Sequence, residues 1–401
     1  MAAAVESSVE TALVEPASTE VKTDTPLAES PMYYNFWYRA ARTSDIRRGK
    51  MMATTMLETR VLVGRDRAGR AFAMKDACPH RGTPLSYGWF NGEQVQCVYH
   101  GWKFDVNSGQ CQGIPSCAQG QDLHHERIFA PRLECEERDG YIWVYIPEPS
   151  GRLAKRALTP AGPAPVMPMH SEKYKSFQLT SHVETSGDHA LTSLMDPSHG
   201  PFVHARWWWF ARLLLLIRPD GGEKAVVRDM ERDFTPLPNG FRETTTQPIT
   251  EGWFRKQSGS DVATVAADYV MPYSRVAVIR AGKYWVTGFA TVTPVTKSTS
   301  RIDVRLAWNI YLWFPFGAAI LKYIFWVFFE QDRLVMKRQA EGLKSEPRLM
   351  AVDDADRQLR WFHEIKRAFF AAKKAGREFE NPVKQPVKLR WRATDYRDIL
   401  R

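Results

Sequence analysis

Two short segments of this chain each place a cysteine beside a histidine, and this pattern constrains the fold more than any other feature. Cys78 and His80 form a C-x-H pair, and Cys97 and His100 form a C-x2-H pair after 16 intervening residues. The chain holds five cysteines and ten histidines, so two such pairs indicate one shared metal site. A zinc finger normally uses C-x2-4-C followed by H-x3-5-H, which neither pair matches.

The two pairs suit a cluster of two irons and two sulfides, to which each loop gives one sulfur and one nitrogen. Two thiolates bind one iron and two imidazoles bind the other, which raises the reduction potential. Pro79 stiffens the first loop, and Gly101 allows the second loop to turn tightly. The sequence therefore predicts a one-electron carrier, with the four residues of the two pairs as its ligands.

Composition limits what the rest of the chain can be. The length of 401 residues suggests two or three domains, and a hydrophobic content of 44% supports a proper core. The net charge is +10, but lysines and arginines are scattered rather than grouped with aromatic residues. A nucleic-acid partner is therefore not expected. The positive charge favours an acidic redox partner or an anionic membrane surface.

The remaining cysteines and the N-terminal segment indicate the compartment. Cys111, Cys117 and Cys135 do not form a disulfide framework; the first two can pair, but inert thiols are expected in a reducing compartment. Residues 1–31 are acidic, rich in Ala, Ser and Thr, and lack the basic and apolar parts of a signal peptide. We therefore expect a disordered tail and a cytoplasmic protein, in contact with the inner membrane face.

The order of short patterns along the chain predicts an α+β protein of two domains. From 32 to 150, short alternating runs separated by turn residues predict an all-β domain, with a hairpin turn at Asp66–Gly69. Residues 151–170 are rich in Pro and Ala and predict a linker. The second domain, 171–401, combines an antiparallel sheet with helices. These helices are expected at about 185–199, 317–345 and 353–376.

A second group of metal-binding residues lies in the second domain. Asp196, His199 and His204 follow the pattern D-x2-H-x4-H. On a helix Asp196 and His199 would be neighbours, and Gly200–Pro201 should break that helix and bring His204 back. Two histidines and one carboxylate form a facial triad, which leaves positions open on ferrous iron for dioxygen. Two structural histidines are the alternative.

The missing carboxylate is expected far downstream. At helical spacing, Asp332 shares an apolar face with Leu321, Phe325 and Phe328, so it should point at the core. A carboxylate there is costly unless it is paired or bound to a metal. Glu330 falls on another side of the helix. Asp332 is therefore the predicted third ligand, and pairing with a buried arginine is the alternative.

The segments CPHRG, CVYHGW and DPSHGPFVH resemble those of the Rieske non-haem iron oxygenases. The resemblance implies an N-terminal Rieske domain with a [2Fe-2S] cluster and a helix-grip catalytic domain with mononuclear Fe(II), using dioxygen as co-substrate. It also implies head-to-tail homotrimers, in which one subunit's cluster reduces its neighbour's iron. Asp196 would bridge His100 across the interface and an iron histidine of its own chain. Thr192-Ser193 stand where many members carry Glu or Asn.

Electrons must come from elsewhere, because the chain shows no flavin or NAD motif. NAD(P)H would then act only through a separate ferredoxin or flavin reductase. A Rieske electron carrier and a lipid-binding protein without activity are the alternatives from other classes.

Two apolar stretches, 206–217 and 309–329, favour a large hydrophobic substrate. The second is long enough to span a membrane, but it contains Pro315, Gly317 and Lys322. A helix face with cations and aromatic rings suits an interfacial helix, and packing against a neighbouring subunit is the alternative. The cations and rings expected on this face are Lys322, Trp326, Phe329, Arg333 and Lys337.

The catalytic half is most similar to the pheophorbide a oxygenase and bacterial sterol-modifying branches. Oxidation of a sterol at a C-4 methyl group is the favoured reaction. A tetrapyrrole comes second, since the plant-type enzymes usually add a C-terminal CxxC motif that this sequence lacks. A small aromatic compound comes third.

Overall fold

A computed structural model of the protein describes most of the chain between residues 31 and 393. The described residues are 31–118, 120–121, 124–149, 160, 162–204, 228–249, 252–310, 312, 316–352 and 354–393. The expected tail lies outside the described residues apart from residue 31, and so do residues 151–159 and 161 of the expected linker. The domain boundaries derived from the sequence therefore stay predictions.

The described residues of the N-terminal part form three small antiparallel sheets. The first has the order β1-β11-β10, the second β2-β3-β4-β9 and the third β5-β6-β7-β8. The strands are β1 Phe36–Arg42, β2 Met51–Met56, β3 Thr59–Arg65, β4 Ala71–Lys75, β5 Trp89–Phe90, β6 Gln94–Gln96, β7 Lys103–Asp105, β8 Cys111–Gly113, β9 Arg132–Leu133, β10 Cys135–Arg138 and β11 Tyr141–Ile146. The β character expected for this region is confirmed.

The predicted hairpin between β3 and β4 is also confirmed, with Val63 paired to Ala73. At its turn the Gly69 N–H donates to the Asp66 carbonyl at 3.0 Å, and the Asp66 carboxylate accepts the Arg70 N–H at 2.8 Å. Gly69 has a φ of +90°, a conformation that a side chain would disfavour. Turn chemistry thus fixes the register that buries one face of this sheet.

The C-terminal part holds one antiparallel sheet with the order β12-β18-β17-β16-β15-β14-β13-β19. Its strands are β12 Lys175–Val183, β13 Arg228–Leu237, β14 Gly240–Pro248, β15 Val262–Val270, β16 Ser274–Ala281, β17 Tyr284–Pro294, β18 Ser300–Trp308 and β19 Val387–Ala393. Together with its helices this sheet confirms the α+β class.

The helices differ from expectation at their ends. They are α1 Gly187–Met195, α2 Gly200–Val203, α3 Gly252–Ser258, α4 Gly317–Leu343 and α5 Arg357–Lys374. The expectation that Gly200–Pro201 breaks a helix is wrong, because α1 ends at Met195 and Pro201 lies in the first turn of α2. Proline is favoured there, since the first turn of a helix needs no N–H donor.

A buried ion pair fixes α1, the helix that leads into the histidine segment, against α5. The Lys366 ammonium donates to both Asp188 carboxylate oxygens at 2.7 Å, and the Tyr273 hydroxyl donates to Asp188 at 2.8 Å. Removing one partner of such a buried pair is strongly destabilising, because the other charge stays buried and uncompensated. The position of α1 is therefore tightly determined.

Candidate metal centres

The two cysteine–histidine loops have the same backbone hydrogen bonds. In each loop the cysteine N–H donates to the carbonyl five residues ahead, and a glycine N–H donates back to the cysteine carbonyl. The donors Cys78 and Gly82 make bonds of 2.8 Å, and the donors Cys97 and Gly101 make bonds of 2.8 and 3.0 Å. Both glycines have positive φ, +76° and +72°. The loops are thus two copies of one turn that present their ligands to a common point.

The structure brings the cysteines together on one side and the histidines together on the other. Cys78 and Cys97 are buried. Burial and the neighbouring Cys97 thiol raise the pKa of the Cys78 thiol to about 11. The rings of His80 and His100 lie 4.5 Å apart between centroids. This arrangement fits a cluster with two thiolates on one iron and two imidazoles on the other.

An aromatic ring packs on each of the two histidines. The Trp102 indole stacks on His80 at 4.5 Å with an angle of 4° between planes, and the Tyr99 ring lies 3.9 Å from His100. Within the described part of the chain, the buried Trp102 indole N–H has no acceptor. A buried hydrogen-bond donor without an acceptor, next to the cysteine–histidine loops, suits a site that binds a cofactor.

His199, His204 and Asp332 meet at a second site. One ligand atom of each lies within 4.8 Å of the others. The Asp332 carboxylate is 3.5 Å from His199 Nε2 and 3.0 Å from His204 Nε2. The contact between Asp332 and His204 does not have hydrogen-bond geometry. The buried His204 Nε2 therefore has no hydrogen-bond partner among the described residues. Two imidazoles and a carboxylate are a donor set suited to ferrous iron.

Electrostatics favours a charged carboxylate at this site. Burial alone would raise the pKa of Asp332, but the two imidazoles outweigh it and lower the pKa below its usual value. Burial opposes protonation of His199, yet the Asp196 and Asp332 carboxylates raise its pKa to about 9. The negative charge of these carboxylates calls for a nearby cation, and a divalent metal bound at this site would supply it.

Asp196 is a neighbour of His199, as expected, but not through a helix. Asp196 caps the end of α1 with extended backbone, φ −62° and ψ 121°. Its Oδ2 lies 3.6 Å from His199 Nδ1, and its Oδ1 accepts the Ser198 N–H at 2.7 Å. The Asp196 side chain is 38% exposed. One oxygen thus faces the triad while the carboxylate is still reachable from outside.

His204 is held by Gln331, which the sequence analysis did not name, and by Phe328, for which it gave no role at the metal site. Gln331 Oε1 lies 2.9 Å from His204 Nδ1, and the Phe328 ring stacks on the imidazole at 3.6 Å. An amide oxygen at Nδ1 keeps the proton on that nitrogen and leaves Nε2 free to bind. Their positions in the sequence could have indicated this role, because Phe328 and Gln331 lie within about one helical turn of Asp332.

The expected environment of Asp332 on α4 is confirmed. Asp332 is buried on the same helix as Ile324 and Met336. Glu330 lies toward the outside, where its carboxylate accepts from the Arg333 guanidinium at 2.8 Å. The apolar spacing therefore separated the two carboxylates of this helix correctly.

A cavity of about 230 Å³ adjoins the triad. Its lining is Ser193, Asp196, His199, Val203, Asp332, Val335, Met336 and Gln339. A second cavity of about 260 Å³ lies between α1 and α5, and both cavities reach Asp196. The carboxylate beside His199 is therefore accessible from two sides.

The two apolar stretches are described only in part. Residues 206–217 lie outside the described residues, and so do 311 and 313–315 of the second stretch. On α4, Lys322 and Trp326 are exposed, but Phe329 packs against the main core. Phe329 was therefore wrongly placed on the outer face. Among the helices described, none is long and apolar enough to cross a bilayer.

Comparison with known proteins identifies the class. Residues 36–133 match the model of the Rieske [2Fe-2S] domain. Chlorophyllide a oxygenase of Arabidopsis thaliana is 28% identical over 198 residues, which are 48% of this chain and 34% of that protein. The 4beta-methylsterol monooxygenase of Methylococcus capsulatus is 24% identical over 242 residues, 57% of this chain and 61% of that protein.

A solved structure extends the similarity to both halves. Dicamba monooxygenase bound to dicamba superimposes with a TM-score of 0.63 and 20% identity, covering 85% of this chain and all of that one. At this identity the likeness concerns the fold. The chain spans about a third of the length of the chlorophyllide a oxygenase relatives from A. thaliana and Oryza sativa.

Residues 36–133 therefore form a Rieske [2Fe-2S] domain. With its second sheet, the chain is similar in fold to dicamba monooxygenase, and its relatives in sequence include oxygenases.

Proposed function

We propose that this chain is the terminal component of an oxygenase. The observation that carries the proposal is the presence of two separate donor sets in one chain, each suited to one of the two metal groups of the family. When bound, the cluster supplies single electrons and the ferrous ion supplies activation of dioxygen. An electron carrier alone would have no use for the second donor set.

Each donor set has a specific role in this proposal. Residues of the two loops would hold the cluster, and the two histidines that flank α2, together with a residue of α4, would hold the iron. The cluster ligands would be Cys78, His80, Cys97 and His100, and the iron ligands His199, His204 and Asp332. Burial of His204 and Asp332 limits access of water, which strengthens electrostatic interactions within the site.

Asp196 is proposed as the bridge for electrons between subunits. Its carboxylate contacts His199 and is exposed enough to accept a hydrogen bond from His100 of a neighbouring subunit. This role requires the head-to-tail homotrimer of the family. Electrons would reach the cluster from a separate ferredoxin or flavin reductase fed by NAD(P)H.

A large apolar molecule is the proposed substrate, and a sterol oxidised at a C-4 methyl group is the first choice. Val203, Val335 and Met336 give the cavity beside the triad an apolar wall. The relative from M. capsulatus named 4beta-methylsterol monooxygenase supports a sterol. The chlorophyllide a oxygenase relatives support a tetrapyrrole as the second candidate. A cytoplasmic location, at the inner face of the membrane, is part of the same proposal.

The substrate class is tested by mass spectrometry of total lipid and pigment extracts. The source organism lacking the gene is complemented with the wild-type chain or with Asp332→Ala. Methylated sterol precursors are expected to accumulate wherever active protein is absent. Accumulation of a tetrapyrrole would reject the sterol and identify a tetrapyrrole as the substrate. Extracts that do not change would exclude both and leave a small aromatic compound.

Gln331 is expected to determine how tightly the iron binds. Gln331→Leu removes the acceptor at His204 Nδ1, so the imidazole can flip its tautomer or rotate. The affinity for Fe²⁺ should fall by about 10- to 100-fold, as for other residues that orient metal ligands. Gln331→Glu keeps an acceptor and should retain affinity. Competition with a coloured chelator on the full chain measures both variants.

Gln339→Leu is the matched control for this measurement. Gln339 is exposed and lies on the same helix, two turns beyond Gln331. Its variant should bind Fe²⁺ like the wild type. Equal affinity of Gln331→Leu and the wild type would show that the contact with His204 does not matter. The visible spectrum of bound Co²⁺ should also change in Gln331→Leu, which a general loss of stability would not explain.

A further inference from the structure

Several segments meet at one end of the large sheet, and their contacts make this end continuous. The Lys283 N–H, in the turn between β16 and β17, donates to the Ser258 carbonyl of α3 at 3.1 Å. The Asn309 side-chain amide donates to the Lys283 carbonyl at 2.8 Å. Phe254 of α3 stacks on Tyr284 at 6.0 Å. The helix α3, this turn and the end of β18 therefore form one surface.

The first turns of α4 belong to the same end. Phe325 of α4 lies 5.8 Å from Phe177 at the start of β12, and Phe177 lies 5.6 Å from Trp308 at the end of β18. Phe316 directly precedes α4. The start of the long helix is thus anchored beside the segment that contacts Lys283.

Large aromatic side chains are exposed at this end and on the turns of α4 that continue from it. We call the following four residues the aromatic rim; they are Trp253 (60% exposed), Phe316 (69%), Tyr323 (57%) and Trp326 (52%). Tyr323 and Trp326 stack on each other at 6.0 Å. Single exposed apolar residues need no explanation, but several on adjoining elements mark an interaction surface.

Exposed cations accompany the aromatic rim. They are Arg255, Lys256, Arg280, Lys283 and Lys322. Among the described residues at this end, the exposed carboxylates are those of Asp261, which follows α3, and Glu172, which precedes β12. The five cations outnumber these carboxylates. The Lys283 ammonium also lies 5.3 Å from the Tyr284 ring.

We propose that this end of the sheet docks on the surface of an anionic phospholipid bilayer. Tryptophan and tyrosine favour the level of the lipid headgroups, where one part of the ring is apolar and the other is wet. Lysine and arginine are attracted by the negative surface potential of anionic lipids. The protein would dip into the interface without crossing it. The proposal specifies the membrane contact that is part of the proposed function, but it does not depend on the metal chemistry. It would give a lipid-borne substrate a short path to the protein.

The surplus of positive charge favours lipid over a two-fold contact with a second copy of the chain. In a two-fold contact the same patch faces itself, so the cations of one copy would oppose those of the other. Such like-charge contact costs free energy. An anionic bilayer instead neutralises all five cations at once.

Vesicle flotation of the full-length protein tests the proposal. Vesicles of phosphatidylcholine alone are compared with vesicles that also contain phosphatidylglycerol, at low and high salt. Binding is expected on the anionic vesicles and should weaken as salt rises. The double variant Arg255→Glu with Lys256→Glu should bind about 25-fold more weakly or worse, since each cation near such a surface contributes about fivefold. Trp253→Ser should also weaken binding.

Matched controls lie in the N-terminal part. Arg47→Glu with Arg48→Glu reverses two adjacent exposed arginines, and Trp89→Ser removes an exposed indole. These variants should float like the wild type. The proposal is overturned if the wild type does not bind anionic vesicles, or if the control pair loses as much binding as Arg255→Glu with Lys256→Glu.

Two further measurements separate this proposal from others. Sedimentation velocity of Trp253→Ser should match the wild type, and a shift to a smaller species would assign the surface to a second copy instead. Iron content and cluster absorbance are measured on the same preparations and should not change. A failure to bind vesicles would therefore leave the proposed oxygenase chemistry untouched.

Discussion

Asp332→Ala is expected to remove the mononuclear iron while the Rieske cluster stays in place. Asp332 is the carboxylate of the buried triad, 3.0 Å from His204 Nε2 and 3.5 Å from His199 Nε2. Two imidazoles alone cannot complete a facial set of ligands. We expect iron affinity to fall by more than about 100-fold, beyond the usual effect of residues that only orient ligands. Dioxygen-dependent turnover should fall to background.

Metal counting measures this loss. The wild type should hold about three irons per chain and Asp332→Ala about two, with the visible absorbance of the cluster unchanged. Asp332→Asn should lose iron as well. Because asparagine keeps the size of the side chain, a loss of iron in this variant is not explained by misfolding. Glu330→Ala is the matched control, because Glu330 lies on the same helix and bonds to Arg333 instead.

Either of two results would reject Asp332 as the ligand. The first is an Asp332→Ala protein with full iron and full turnover. The second is loss of iron in Glu330→Ala while Asp332→Ala retains it. A chain that binds two irons in the wild type would instead support the electron carrier.

Asp196→Asn is expected to leave both metal groups in place and to block transfer between them. Asparagine keeps the size of the side chain and the oxygen that accepts the Ser198 N–H, but it loses the charge next to His199. The bridge to a neighbouring cluster needs that charge, because both hydrogen bonds it would accept come from imidazoles. We expect turnover to fall by about 100-fold.

Rapid mixing identifies the blocked step. The cluster of Asp196→Asn should be reduced by dithionite as fast as that of the wild type. Its reoxidation in the presence of dioxygen and substrate should be slow. Asp356→Asn is the control, since Asp356 lines the same cavity as Asp196 without contacting the triad. Reoxidation at the wild-type rate in Asp196→Asn would exclude the bridge.

Much of this protein was accessible from local sequence patterns. The cysteine and histidine loops could be recognised because each is a single turn, in which nearby residues alone set the backbone hydrogen bonds. Asp332 could be separated from Glu330 because helical periodicity assigns each residue to a face. The ligand assignments stay predictions until metal is measured, although the geometry of the triad agrees with them.

The sequence patterns failed where contacts over long distances decide the outcome. Helical spacing places Phe329 on the same face as the exposed cations of α4, yet its side chain packs against the core. Pro201 was taken as a helix breaker, although the same residue also begins helices well. Strand β12 pairs with β18, and strand β19 pairs with β13, although these partners lie more than 100 residues apart in sequence and no local pattern indicates the pairing.

Residue types at short spacing were enough to predict the class of protein, the two donor sets and the α+β fold class. The contacts between distant residues became visible only in the packed fold: Gln331 and Phe328 hold His204, Asp188 and Lys366 fix α1, and α3 joins α4 in one exposed surface. Periodicity tells which face a side chain takes, but the neighbour it meets depends on how distant elements pack.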